Sequence, residues 1–91
     1  MATSTIKRPT GKFIQSGSVT ISNVGTSDKT VNVTFDTPFS EVPNVVISLR
    51  QTYNRRIGAD NITATGFTAS GALLTGSATA TIWADWIAVG N

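Results

Sequence analysis

Cysteine and histidine are both absent from this chain, and proline, methionine and charged residues are scarce. Without cysteine there is no disulfide scaffold, and zinc held through cysteine or histidine is excluded. Without histidine, the side chain best suited to moving protons near neutral pH is missing. Five carboxylates remain, Asp28, Asp36, Glu41, Asp60 and Asp85, and no local pairing among them suggests an acid–base couple. No Gly-rich phosphate loop, nucleophile elbow or metal-ligand spacing is present, so no enzyme and no cofactor is expected. Composition leaves calcium open, but no run of alternating oxygen ligands resembles a calcium loop. No stretch approaches the roughly 18 apolar residues of a membrane span, and membrane insertion is not expected. Charged residues make up 13%, about half the usual share.

What is present is polar but not charged. Thr, Ser, Gly and Asn number 15, 9, 8 and 6, a mixture suited to strands joined by turns. An apolar share of 40% and a net charge of +2 argue against disorder. Ninety-one residues make one domain, near the lower end of what folds unaided. Lys7, Arg8 and Lys12 concentrate positive charge in the first twelve residues and leave the rest slightly acidic. Residues 1–12 are therefore read as a basic arm, loose or docking onto a larger assembly, and 13–91 as the folded domain. Arg50, Tyr53, Arg55 and Arg56 form the nearest thing to a basic aromatic cluster. It is too small to indicate a nucleic-acid partner. The amino terminus lacks the apolar core of a secretory signal, and the chain is expected to be a complete product made in the cytoplasm. Asn32-Val33-Thr34 and Asn61-Ile62-Thr63 are read as strand sequence, not glycan acceptors.

Period-two alternation runs from residue 13 onward. Val19 and Ile21 alternate with Thr20 and Ser22, predicting a strand over 18–24. Gly25 to Lys29 is turn chemistry, and Val31, Val33 and Phe35 predict a second strand completing a hairpin. Pro38 and Pro43 bracket a corner. Val45 to Leu49 shows little alternation, which predicts a strand covered on both faces. Gln51 to Asp60 reads as a polar loop around Gly58. Ile62 to Ser70 reads as a fourth strand, with Gly66 a bulge or close approach. Gly71 and Gly76 enclose Ala72-Leu73-Leu74, and the longest strand is expected from Ser77 to Val89. No helical stripe is visible. The whole predicts an all-β chain, an antiparallel sandwich of about six strands.

The last strand is apolar on both sides. Ile82, Ala84, Trp86 and Ala88 point one way and Trp83, Ile87 and Val89 the other. One side fills the sandwich. The other, with Leu73 and Leu74, would form a patch that soluble monomers avoid. Either sister copies or an ordered loop or arm must cover it, and a 91-residue chain has few residues to spare for the second option.

Three runs carry a family resemblance. Val33-Thr34-Phe35-Asp36-Thr37-Pro38-Phe39 with Val42-Pro43-Asn44-Val45-Val46-Ile47-Ser48-Leu49, then Asn61-Ile62-Thr63-Ala64-Thr65-Gly66-Phe67-Thr68, and last Trp86-Ile87-Ala88-Val89-Gly90, stand in order. Together they resemble the signature of the H-type lectin domain over about residues 16–90. The resemblance implies a six-stranded antiparallel β-sandwich assembling as a homotrimer. Snail and slime-mould members bind galactose or N-acetylgalactosamine at protomer seams, and phage tail and fibre proteins carry similar domains.

Carried over by position, the family's acidic sugar ligand falls to Asp28, with Asn23 nearby, and its arginine to Arg55 or Arg56. The snail protein's Trp-His pair and Tyr fall near Leu74, Thr75 and Ala80, so the aromatic platform is missing there. Tyr53 can replace it from another loop. Each residue also has a plainer use. Asp28 can serve its turn, and Arg55 and Arg56 can pair across a trimer with Asp60 or Asp85. Two functions follow. One is a glycan-binding host-recognition module of a phage tail, with Asn23, Asp28, Tyr53, Arg55 and Arg56 at the sugar and Leu73, Trp83, Ile87 and Val89 between copies. The other is a structural virion subunit, joined to other tail proteins by its basic arm and binding no sugar.

Overall fold

The computed structural model describes residues 13–51 and 53–91, so the basic arm expected over 1–12 lies outside the described residues. Six strands follow one another: β1 (Phe13–Val24), β2 (Lys29–Thr34), β3 (Asn44–Leu49), β4 (Arg55–Asp60), β5 (Gly66–Leu73) and β6 (Ala80–Gly90). All ladders are antiparallel. A front sheet takes the order β1-β6-β3 and a back sheet the order β2-β5-β4. The two pack face to face as a sandwich.

Alternation decides which side chains meet between the sheets. Val19, Ile21, Ile82, Ala84, Trp86 and Ala88 come from the front sheet, and Phe67 and Ala69 from the back. Aromatic rings close the centre. Phe35 lies 5.5 Å from Trp86, and Phe67 lies 5.5 Å from Trp86 in an edge-on arrangement. Phe39 stacks on Phe13 at 4.5 Å. Each such ring contributes about 1.5–3 kcal/mol by leaving water, plus the geometric preference of edge-to-face pairs. The proline corner exists to deliver Phe39, whose N–H donates to the Ala64 carbonyl at 2.8 Å.

Several expectations need correction. The predicted hairpin is absent, because β1 pairs with β6 and β2 with β5. Asn23 adopts a positive φ of 56° where the β1 register slips between Ile21 and Val24. The chain then crosses from the front sheet to the back one. Gln51–Asp60 is not all loop, since β4 begins at Arg55. Its arginines and aspartate look loop-like in sequence, but β4 is an edge strand, and charge on an edge discourages pairing with other chains. The fourth predicted strand starts late: Asn61, at φ 49°, opens a turn and β5 begins at Gly66. Gly66 is a close approach, as expected, because a Cβ there would run into the Val33 carbonyl oxygen. β1, at 12 residues, is longer than β6, at 11. In the single chain β3 is covered on its inner side only, and Val46 is 65% exposed.

Candidate functional site

Two neighbouring arginines on β4 face opposite ways, and this divides the expected sugar residues into two places. Arg56 lies beside Ala72 of β5 on the outer face of the back sheet. Lys29 pairs with Gly71, so the preceding Asp28 comes level with Ala72 from the other side. The Arg56 guanidinium and Asp28 carboxylate meet at 2.6 Å, and Ala72 beneath them is 0% exposed. Asp28 therefore does more than close its turn. It holds an arginine across the middle strand, and both groups stay about half exposed. Lys29 closes the same turn by donating to the Ser22 carbonyl at 2.7 Å. Asn23, exposed at the bulge of β1, stands at the start of this connection.

Arg55 shares its face with Ile57 and Ala59, which pack against the core. Its Nε donates to the Thr81 carbonyl at 3.3 Å and its Nη1 to the Tyr53 carbonyl at 2.9 Å. The first of these bonds joins the back sheet to the front one. Tyr53 is 79% exposed. Together Tyr53, Asn54 and Arg55 line one wall of an open groove of about 380 Å³, and Thr75 to Ala80 line the other. Asn54 fastens the two walls. Its Nδ2 donates to the Thr75 carbonyl at 2.9 Å, and its Oδ1 accepts from the Thr75 N–H at 2.9 Å. A positive φ of 55° at Asn54, which asparagine tolerates better than most residues, aims the amide there. The sequence reading missed Asn54, and of the opposite wall it reached only Thr75 and Ala80, leaving out Gly76 to Thr79. The one available signal was Asn54 ending a polar stretch just before two arginines.

The outer face of the front sheet is different. In register across it lie Ser16, Ile87 and Val46, then Ser18, Asp85 and Ser48. Ile87 and Trp83 are 46% and 44% exposed. Val89 is half-buried. Leu73, expected on this surface, is instead 5% exposed and lines the groove below Arg55; its neighbour Leu74 is the exposed one. Asp85 pairs within its own chain, with Arg50. Its two oxygens accept from Arg50 Nε at 2.9 Å and Nη2 at 2.8 Å, a two-point geometry that arginine alone provides.

Those hydrogen bonds outweigh an opposing effect of burial and, with a smaller contribution from the arginine's charge, hold the Asp85 carboxyl below its ordinary range. The Arg50 guanidinium is raised in turn. A lowered carboxyl stabilises the fold fully above the unfolded carboxylate range, and the contribution is lost as pH falls through the lowered value. Asp85→Asn is therefore expected to lower the thermal midpoint at pH about 7, and to lower it less at a pH well below the ordinary carboxylate range of about 4, where more of the wild-type carboxyl is protonated. Melting curves at the two pH values check this. Equal midpoints at neutral pH would remove the pair as a stabilising contact.

Comparison with known proteins follows the same outline. The H-type lectin domain matches residues 30–89. The N-truncated R1-type pyocin tail fibre superposes with a TM-score of 0.73 at 18% identity, covering 90% of this chain and 73% of that one. Discoidin II of Dictyostelium discoideum superposes at 0.75 with 23% identity, over 89% of this chain and 37% of that one. The tailspike gp61 of Pseudomonas phage phi297 superposes at 0.71 with 18% identity, over 88% of this chain and 16% of that one. The chain thus spans well under half the length of the last two. No curated protein matches it by sequence.

Proposed function

Because this chain belongs to the H-type lectin domain family, we propose that it is a glycan-binding module of a phage-tail kind, acting as a homotrimer that recognises a host surface. The observation that carries this reading is the position of Tyr53. It lines the same groove as Thr75 and Ala80, the positions onto which the family's aromatic sugar contacts fall. A ring supplied from the β3–β4 connection can there lie against a pyranose face, as the missing ones would have done. Asp28 and Arg56, already joined across β5, offer a carboxylate and a guanidinium to sugar hydroxyls. Asn23 stands by them as a third polar group.

The homotrimer is supported by the front sheet. Val46, Trp83 and Ile87 are exposed on one face, an apolar surface that a lone soluble domain avoids. Closed symmetry buries it once for each copy, and repeated shallow sites then convert weak binding into avidity. Tail fibre and tailspike neighbours support a virion setting, in which residues 1–12 contact other tail proteins.

A glycan array probed with the wild type, Tyr53→Ala and Arg56→Ala tests the site. Wild-type binding is expected, and each change should weaken it about tenfold, the effect of losing roughly 1.4 kcal/mol of contact. Arg56 and Asp28 are exposed, so their loss should leave the fold intact. A wild type that binds no glycan would overturn the reading and leave a structural tail subunit in its place.

A further inference from the structure

The described arginines are three, and two of them are neutralised. Arg50 has Asp85 and Arg56 has Asp28. Arg55 has two carbonyl oxygens instead, those of Thr81 and Tyr53. Neutral acceptors orient a guanidinium without cancelling its charge. They occupy Nε and part of Nη1, and Nη2 has no partner among the described residues. The groove beside it is lined by no carboxylate. Its opposite wall carries Ser77 and Thr79, while Thr75 is held by Asn54.

We infer that this groove takes the carboxylate or phosphate of an acidic saccharide, with Arg55 as the receiving group. The inference rests on the glycan-binding reading above and deepens it by naming the ligand's charge. A guanidinium fixed by two acceptors loses little freedom on binding, and its bonds to an anion are about twice as strong as those to a neutral hydroxyl. The hydroxyls of Ser77 and Thr79 complete the cradle, and Tyr53 at the mouth carries the sugar ring. Gly76, at φ 108°, lets the loop turn back over the groove where a side chain would be strained. The Asp28–Arg56 couple is neutral as a pair and suits uncharged hydroxyls, so the charge preference belongs to the groove.

Amide and arginine Nε–H resonances followed by NMR during titration decide the matter. The probes are tetragalacturonate against its methyl ester, and mannose 6-phosphate against mannose. Shifts at Arg55 Nε–H and through residues 75–79, with a charged probe bound at least about tenfold tighter than its neutral form, are the expected result. The two pairs separate carboxylate from phosphate. Ser77→Asp, at an exposed loop position, should weaken the charged probe about tenfold by like-charge repulsion and leave the rest of the spectrum unchanged. Equal binding of charged and neutral probes in the groove would overturn the charge assignment while leaving sugar recognition standing. No shift with either charged probe would overturn the inference alone, because the array result on neutral glycans is independent of it.

Discussion

Ile87→Asp is expected to turn a three-chain particle into a folded single chain. Light scattering should report about three times the 9.5 kDa chain mass for the wild type and about one for the variant. Ile87 lies at the centre of the front sheet's outer face, between Ser16 and Val46 in register. A carboxylate there stays hydrated in the single chain, so folding is little affected. Assembly would strip that hydration three times over around a closed ring, at several kcal/mol per unpaired charge. The Arg50–Asp85 pair one row away does not rescue it, since Asp85 already holds two of that arginine's donors. Thr30→Asp, on the outer face of the back sheet, serves as the control and should keep the wild-type mass. A wild type of single-chain mass, or a variant that remains trimeric, would remove the front face as the seam between copies.

The largest effect on folding is expected from Gly66→Ala. A methyl group at this position would run into the backbone oxygen of Val33, and a backbone oxygen cannot rotate away as a side chain can. Val33 pairs with Phe67 in the β2–β5 ladder, so yielding there disturbs the ring packed on Phe35 and Trp86. The same glycine also closes a turn, its carbonyl accepting from the Thr63 N–H at 2.8 Å. The expected loss is about 3 kcal/mol, which for a domain of this size lowers the thermal midpoint by more than about 10 °C. Gly58 is the contrast. Nothing lies within 4 Å of a Cβ built there, and Gly58→Ala should shift the midpoint by only a few degrees. Similar melting curves for the two variants would show that β2 and β5 do not need their close approach.

The reading from sequence was good at faces and poor at partners. Alternation placed Ile82, Ala84, Trp86 and Ala88 inward and Trp83 and Ile87 outward, because period two is a property of the strand itself. It could not show that β1 leaves its sequence neighbour for β6. That choice depends on which pairing buries both apolar faces at once, a long-range condition. The same limit hid β4. Arg55, Arg56, Gly58 and Asp60 have loop composition, and only an edge position makes them a strand.

For the candidate site the division is similar. Residue types alone marked Asn23, Asp28, Tyr53, Arg55 and Arg56 as able to grip a sugar. Tertiary structure separated Arg55 from Arg56 by the pleat of β4, giving one to a neutral pair over Ala72 and the other to a groove without a carboxylate. The chain's own composition determined an all-β domain without disulfides and without zinc held by cysteine or histidine, since local propensity and the absence of those two residues suffice for that. Which strands pair, which cations lie beside a carboxylate and what Leu73 packs against were decided only by folding, because each depends on residues tens of positions away arriving within a few ångströms.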